Sequence, residues 1–356
     1  MKSTVIERMM RGEFVLIAEA GVNYYDIAKD LGIGNMEAAK LMIKKAAEAG
    51  IHAIKFQTYK AGTIAAKESP SYWDLNMEPI TSQYELFQKF DAFGYEEYKE
   101  MAEYCREVGI EFCSTAFDFE SADYLDEMMN IYKISSSDLS NIPFIEHQAK
   151  KGKPILLSIG ASNENEIDMA VQTIRKYNDQ PLVLLHCVLE YPTPYEDANL
   201  NKITSLKKRY PDAIIGYSDH TIFDQGCDVI KTAYNLGATV VEKHFTLNKK
   251  IKGSDHLHSM DDTDAARIIE NVAFVEKLRG TGELKVLENE LISRQNARRS
   301  VVALGDIPKG TVITADMLTY KRPGTGISPQ RADSILGRVA KQDIADDTIL
   351  QWEMFE

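Results

Sequence analysis

The chain has 356 residues, of which 44% are hydrophobic and 27% are charged, a composition typical of a soluble globular protein. Its formal net charge of −13 argues against nucleic acid as the main partner, and no apolar run reaches the ~18 residues that a membrane-spanning helix needs. The N-terminal segment lacks the apolar region of a secretory signal, and the four cysteines have no CxxC spacing. These features predict a cytoplasmic protein with reduced thiols and with neither a membrane nor a nucleic-acid partner.

Eight short aliphatic runs of strand length recur through most of the chain, separated by segments of helical periodicity. In chain order they are FVLIAEAG from Phe14, HAIKFQT from His52, EFCSTAF from Glu111, YKISSSD from Tyr132, PILLSIG from Pro154, LVLLHC from Leu182, IIGYSDH from Ile214 and TVVEKHF from Thr239. Eight strands that alternate with helices predict an α/β protein with a (β/α)8 TIM barrel. An open doubly wound sheet is the alternative, but no GxGxxG loop follows the first strand.

Two segments depart from this alternation. Residues 60–94 are longer than a simple loop and rich in aromatic residues, Pro and Ser, which predicts either a lid or rim over a site, or a surface excursion or subunit contact. After the last barrel helix, a charged stretch leads into short β-like pieces broken by Gly and Pro. We therefore predict a TIM-barrel catalytic domain over 1–283, a linker over 284–298 and a small β-rich domain over 299–356.

Nearly every predicted strand ends in polar side chains, and in barrels the catalytic groups lie at the C-terminal ends of the strands. These side chains are Glu19, Asn23, Lys55, Gln57, Ser114, Thr115, Lys133, Ser135, Ser136, Asp138, Ser158, His186, Ser218, Asp219, His220, Glu242, Lys243 and His244. A barrel kept only for structure has no need of such a ring. The pattern predicts an active site at this end of the barrel.

Lys55 and Lys133 stand beside small hydroxyl residues, a combination that suits phosphate or carboxylate anions. His220 and His244 end neighbouring strands, so their imidazoles can converge on a divalent ion such as Mn²⁺. Structural roles are the alternatives: an ion pair for each lysine and a hydrogen bond for each histidine. His186 follows an apolar run, which leaves open that it only forms a hydrogen bond within the barrel.

The segment KGSDHLHSM adds further polar groups just beyond the last strand. We expect Asp255 to contact a substrate hydroxyl, whereas the roles of His256 and His258 stay open, because the segment could also be a solvated loop.

Several motifs together resemble a known family. IAEAGVN, IKFQTYK, YKISSSD, LLSIGAS, LLHCVLEYPTPYEDANL, IIGYSDHT and VVEKHFT occur in the order found in the sialic acid (nonulosonate) synthases. The tail GDIPKGTVITADMLTYKRPGTGI resembles the antifreeze-like SAF domain, a β-clip fold, that follows the barrel in that family. The resemblance covers nearly the whole chain.

The resemblance implies a metal-dependent condensation of phosphoenolpyruvate with the aldehyde of an N-acetylated amino sugar, which with water gives a nonulosonic acid and phosphate. It implies catalytic roles for Glu19, Lys55, Lys133 and Glu242. It implies substrate contacts for Gln57, Thr115, Ser136, Asp138, Ser158, Tyr191, Ser218, Asp255 and Arg322, and a metal held by His220 and His244. The implied metal is Mn²⁺, with Mg²⁺ or Co²⁺ as alternatives. The family also implies a homodimer in which Arg322 reaches the active site of the partner.

Three positions depart from the family pattern: Tyr24, Asp138 and Leu189. They leave the sugar open between N-acetylmannosamine and a 2,4-diacetamido-2,4,6-trideoxyhexose. A sugar-phosphate synthase of the octulosonate or heptulosonate type is an alternative, but it would need an additional cluster of Arg and Lys for the second phosphate. A non-catalytic sugar-binding barrel is the other alternative.

Overall fold

The computed structural model describes residues 3–76, 78–253 and 255–356, which form two compact units, Met1–Arg279 and Gly280–Glu356. Eight parallel strands form a closed barrel in chain order, and the last strand pairs with the first. The strands are β1 (Val15–Gly21), β2 (Ala53–Thr58), β3 (Glu111–Ala116), β4 (Tyr132–Ile134), β5 (Ile155–Ser158), β6 (Leu182–His186), β7 (Ile214–Asp219) and β8 (Val240–His244). The predicted TIM barrel is confirmed, and each of the eight aliphatic runs contains one of its strands.

Helices surround this barrel. They are α1 (Thr4–Met10), α2 (Tyr24–Leu31), α3 (Asn35–Glu48), α4 (Ala61–Ile64), α5 (Gln83–Gln88), α6 (Tyr95–Val108), α7 (Phe119–Tyr124), α8 (Ile142–Ala149), α9 (Glu164–Tyr177), α10 (Asn201–Arg209), α11 (Asp228–Leu236) and α12 (Asp262–Arg279). Gly109 follows α6 with φ of 82°, a left-handed conformation in which glycine has no Cβ penalty. None of the described helices is long and apolar enough to cross a membrane.

Strand periodicity separates two apolar regions. Alternate residues such as Leu16 and Ile54 pack outward against the helices, whereas Ile17 and Val183 fill the barrel interior. The interior is so tightly filled that a Cβ on Gly216 would lie 2.4 Å from Leu185 Cδ2 and 2.5 Å from Val240 O. This apolar packing forms a dry floor, and the polar strand ends lie on the C-terminal side of it.

The second unit contains α13 (Leu291–Ala297) and a two-stranded antiparallel sheet of β9 (Ser300–Ala303) and β10 (Leu318–Lys321). Its separate apolar core includes Val301 and Ile335. Arg322 follows β10 and is exposed. The predicted boundaries of linker and tail domain stay a prediction, and α13 lies within the segment that we interpreted as the linker.

Candidate active site

Four charged side chains from four strands meet in the barrel interior, each almost completely buried. The Lys55 ammonium contacts the Glu19 carboxylate and lies 3.9 Å from Glu242 Oε2. Lys133 Nζ lies 3.6 Å from Glu242 Oε1. Burying two ammonium groups and two carboxylates is costly, and apolar side chains would fill the same space more cheaply. The cluster is therefore better explained by chemistry than by stability.

Neutral polar groups complete this cluster. Lys55 donates to Thr115 Oγ1 at 3.1 Å, Gln57 Nε2 donates to Glu19 Oε1 at 2.8 Å, and Ser218 Oγ donates to Glu242 Oε1 at 3.0 Å. These bonds fix the rotamers of the charged groups. The structure thus brings together side chains that the sequence analysis predicted from separate strand ends.

Burial and charge divide the cluster into groups with different proton affinities. Burial alone would lower the pKa of Lys55, but the carboxylates of Glu19 and Glu242 outweigh burial and raise that pKa. Burial would raise the pKa of Glu242, but Lys133 and Lys55 hold it below its usual range. Burial raises the pKa of Glu19 despite the adjacent Lys55, and burial lowers the pKa of Lys133. Glu19 is therefore the carboxylate that more readily accepts a proton. Lys133 is the lysine whose charged form a bound anion would stabilise most.

Small hydroxyl residues line a pocket of about 60 Å³ next to the lysines. Ser136 Oγ accepts from the Gly160 backbone N–H at 2.8 Å, and Ser135 lies beside it. Ser158 Oγ is buried and has no hydrogen-bond partner among the described residues. A buried hydroxyl without a partner costs free energy unless a ligand satisfies it. The pocket has the donors that a small anion requires.

Three histidines lie beside the charged cluster. The ring centroids of His220 and His244 are 5.5 Å apart, those of His244 and His258 are 4.6 Å apart, and Asp255 Oδ2 lies 3.7 Å from His244 Nδ1. His220 Nδ1 lies 2.6 Å from Val188 O and can only donate to that carbonyl, which leaves Nε2 as the basic nitrogen. The structure brings the predicted pair His220 and His244 together and adds His258, which the sequence analysis left undecided.

This histidine group fits a divalent metal. One ligand atom from each of His244, Asp255 and His258 lies within 4.8 Å of the other two. Burial lowers the pKa of His220, and it lowers the pKa values of His244 and His258 well below the ordinary value, so the imidazoles are in the neutral form that binds metals. Nitrogen and carboxylate donors of this kind suit Mn²⁺ and similar ions.

A second cavity of about 360 Å³ opens above the histidines, and the long segment 60–94 forms much of its wall. Met77 lies outside the described residues; the rest of this segment contributes Asp74 and several aromatic and apolar side chains to the cavity. They include Tyr72, Trp73, Leu86, Phe87 and Phe90. The opposite wall includes Gln57, Leu189, Tyr191, His244 and Asp255, and all but Asp255 also line the small polar pocket. The segment 60–94 therefore lies at the site, as the lid-or-rim interpretation requires.

Several polar residues noted in the sequence lie outside both cavities. Asp219 points away from the barrel interior and pairs with Lys243 at 2.6 Å. His186 is buried, and its Nε2 lies 2.8 Å from Ala198 O. This contact agrees with the interpretation that His186 forms only a hydrogen bond within the barrel domain. Tyr24 is also buried and stacks on Phe93 at 4.9 Å, so this departure from the family lies in the core.

Asp138 lines neither cavity of the single chain. Asn141 Nδ2 donates to Asp138 Oδ1 at 3.2 Å, and burial raises the pKa of this carboxyl. Its predicted contact with the sugar stays a prediction. His256, next to Asp255, lies 2.8 Å from Thr246 Oγ1 and 3.4 Å from Asp26 Oδ2, which accounts for it as a structural residue.

A closed (β/α)8 barrel with buried lysines, carboxylates and a histidine cluster at its C-terminal end defines an enzyme. The chain belongs to the NeuB family, whose model matches residues 42–284, and a SAF domain matches residues 298–356. It is accordingly a C–C bond-forming transferase.

Two named relatives and one solved structure illustrate the similarity. The chain is 36% identical to the N,N'-diacetyllegionaminic acid synthase of Legionella pneumophila, over 96% of this chain and 94% of the relative. It is 31% identical to the N-acetylneuraminate-9-phosphate synthase of Homo sapiens, over 94% of this chain and 91% of that relative. The N-acetylneuraminic acid synthetase structure from Leptospira borgpetersenii has 31% identity and a TM-score of 0.68, covering 79% of this chain and 90% of that one.

Proposed function

We propose that this enzyme condenses phosphoenolpyruvate with the aldehyde of an N-acylated amino sugar and water, giving a nonulosonic acid and phosphate. The observation that carries this proposal is the junction of two cavities. A small pocket with lysines and hydroxyls meets a larger aromatic cavity, and His244 lines both of them. An anion in the first and a sugar in the second would meet beside Tyr191 and His244, which line both.

The small pocket suits phosphoenolpyruvate. Lys55 and Lys133 would pair with its phosphate and carboxylate, while Thr115, Ser136, Ser158 and Ser218 supply hydroxyl groups at the same depth. Arrival of the anion would offset the cost of burying Lys133, whose pKa burial lowers. Ser158, which has no hydrogen-bond partner among the described residues, would gain one from the anion.

The reaction forms one carbon–carbon bond and one carbon–oxygen bond, and it breaks the carbon–oxygen bond between C2 and the phosphate. C3 of phosphoenolpyruvate attacks the sugar aldehyde, whose oxygen becomes a hydroxyl. Water adds to C2, and loss of phosphate from C2 leaves the keto group. Glu19, whose pKa is raised by burial, would take the proton of the attacking water, and Gln57 holds that carboxylate in place at 2.8 Å.

His220 and His244 would hold a divalent metal, which when bound would act as a Lewis acid toward the aldehyde oxygen. We propose Mn²⁺ as this ion, with Mg²⁺ or Co²⁺ as alternatives. Glu242 lies near both lysines, where its charge favours their protonated forms, and it accepts from Ser218, so it would hold the anion-binding groups in position.

The second cavity favours a sugar with apolar substituents. Its wall from the segment 60–94 is largely aromatic, and the lining residues that the structure describes include no Lys or Arg. A phosphorylated sugar would meet the carboxylates of Asp74, Glu190 and Asp255 in this cavity, which argues against the sugar-phosphate alternative. Aromatic faces and Leu189 instead suit methyl and acetamido groups, so we propose a 2,4-diacetamido-2,4,6-trideoxyhexose over N-acetylmannosamine.

We further propose a homodimer in which the exposed Arg322 enters the partner's sugar site and contacts an acyl group. Light scattering should give about twice the chain mass of 40.1 kDa. Arg322→Ala should raise KM for the sugar and leave the mass unchanged. A monomer with full activity would refute this part of the proposal.

The function is tested by phosphate release from phosphoenolpyruvate with Mn²⁺ and each of the two sugar types, with and without EDTA. Release that needs both a sugar and the metal is expected, fastest with the diacetamido sugar. Lys133→Met should abolish it, whereas Lys151→Met, on the outer surface, should not. No release with any amino sugar would refute the proposal.

A further inference from the structure

We propose that His258 is a ligand of the divalent metal, together with His244 and Asp255, so that the loop after β8 supplies part of the metal site. This inference rests on the proposed function for the presence of a metal. It goes beyond the strand-end pair His220 and His244, because it adds two side chains from the loop, His258 and Asp255, to that pair.

The environment of His258 carries the argument. Its side chain is completely buried, and neither ring nitrogen has a hydrogen-bond partner among the residues that the structure describes. The ring lies edge-on to His244 at 4.6 Å between centroids, and His244 Nδ1 is likewise buried without a hydrogen bond. Two neighbouring imidazoles that both present unsatisfied nitrogens leave polar groups unpaired in a dry interior, which a metal ion between them would correct.

Other histidines of the barrel unit show that this is not a general property of the fold. His256, two residues away in the same loop, has Thr246 Oγ1 as its partner at 2.8 Å. His186 has Ala198 O at 2.8 Å, and His52 Nδ1 accepts from the Leu16 backbone N–H at 3.0 Å. Each of these histidines is explained by a structural hydrogen bond, whereas His258 is not.

Asp255 completes the arrangement. Its Oδ2 lies 3.7 Å from His244 Nδ1, and ligand atoms of Asp255, His244 and His258 lie within 4.8 Å of one another. With His220, the proposed set is three neutral imidazoles and one carboxylate, donors typical of Mn²⁺ and related ions, and it leaves coordination positions open for substrate oxygens. Because Asp255 and His258 come from the loop, metal binding would link this loop to His244 at the end of β8.

The test is a titration of the full-length protein with Mn²⁺ alone, followed by the electron paramagnetic resonance signal of free Mn²⁺. His258→Phe keeps a ring of similar size but cannot coordinate. We expect its affinity for Mn²⁺ to fall at least ~10-fold, since changes even to the groups that orient ligands cost that much. Modulation of the bound Mn²⁺ spin echo by ¹⁴N should also weaken. His147→Phe, the same replacement on the outer surface, should bind Mn²⁺ as the unmodified protein does.

The melting temperature without metal shows whether His258→Phe is folded, and His258→Gln serves as the second variant if it is not. Equal Mn²⁺ affinity and equal ¹⁴N modulation in the unmodified protein and a folded variant would overturn the inference. It would equally be overturned if the unmodified protein bound no Mn²⁺. Phosphate release separates the two proposals, because release with an unchanged affinity in the variant refutes only the role of His258. A lower affinity without any phosphate release refutes only the condensation.

Discussion

Replacing Lys243 by Met should destabilise the barrel strongly, although Lys243 touches neither cavity. Lys243 Nζ donates to Asp219 Oδ2 at 2.6 Å and to Thr221 O at 2.8 Å, and its side chain is completely buried. Asp219 Oδ1 accepts from the Tyr217 hydroxyl at 3.1 Å and from the Thr221 N–H at 2.9 Å. Without the ammonium, two neutral donors would have to support a buried carboxylate.

The loss of one partner of a buried ion pair costs about 3–5 kcal/mol of unfolding free energy. At about 2 °C per kcal/mol for a unit of this size, the melting temperature should fall by about 6–10 °C. Differential scanning calorimetry measures this fall. The double variant Asp219→Asn, Lys243→Met should recover at least half of it, because no unpaired charge remains. A single variant within 2 °C of the unmodified protein, or a double variant that is worse than the single one, would refute the reasoning.

Three further predictions concern a histidine, an aromatic residue of segment 60–94 and a hydroxyl. Burial lowers the pKa of His52 from its ordinary 6.5 to about 4. As the pH drops from about 6.5 to 4, His52 is therefore protonated in the unfolded chain before it is protonated in the folded protein, and the free energy of unfolding falls. Chemical denaturation at pH 7 and pH 4 measures this fall, and His52→Asn, which keeps an acceptor for the Leu16 N–H, is the comparison. Because His52 is partly exposed, the free energy of unfolding of the unmodified protein should fall by only about 1–2 kcal/mol more than that of the variant. Equal losses in the two proteins would contradict this. In steady-state kinetics, Trp73→Ala should raise KM for the sugar about 10-fold and leave KM for phosphoenolpyruvate within twofold, because Trp73 lines only the larger cavity. A change in KM for phosphoenolpyruvate alone would be inconsistent with that placement. Ser158→Ala should leave the melting temperature unchanged or raise it, because the Ser158 hydroxyl has no partner in the described part of the chain. The same variant should raise KM for phosphoenolpyruvate about 10-fold. A lower melting temperature with unchanged kinetics would show that Ser158 has a structural role.

Strand periodicity made the charged cluster predictable. In a barrel with alternating side chains, the residues that end an aliphatic run must lie at one end, so Glu19, Lys55, Lys133 and Glu242 could be grouped before their distances were known. The alternation also decides which polar neighbours lie outside. Asp219 and Lys243 directly follow the site residues Ser218 and Glu242 in the sequence. Their side chains therefore point to the outer face of the barrel, where they pair with each other.

Loops and insertions were less predictable, because no periodicity fixes where their side chains point. The sequence left His256 and His258 equivalent, and only the packing of the loop shows that His256 has a hydrogen bond while His258 has none to any residue that the structure describes. In the same way, the composition of 60–94 allowed either a lid or a distant surface, and its position at the cavity depends on tertiary contacts. Tyr24 was interpreted as a possible site departure, but its ring packs in the core against Phe93.

The most direct test of the account is phosphate release by Glu19→Gln beside the unmodified protein, with phosphoenolpyruvate, the diacetamido trideoxyhexose and Mn²⁺ present. Gln keeps the size of the side chain and its contact with Gln57, but it cannot take a proton from water. We expect EDTA-sensitive release from the unmodified protein and a fall in kcat of at least ~100-fold in the variant, with KM for phosphoenolpyruvate nearly unchanged. Equal kcat values for the two proteins, or release that persists in EDTA, would contradict the proposed chemistry.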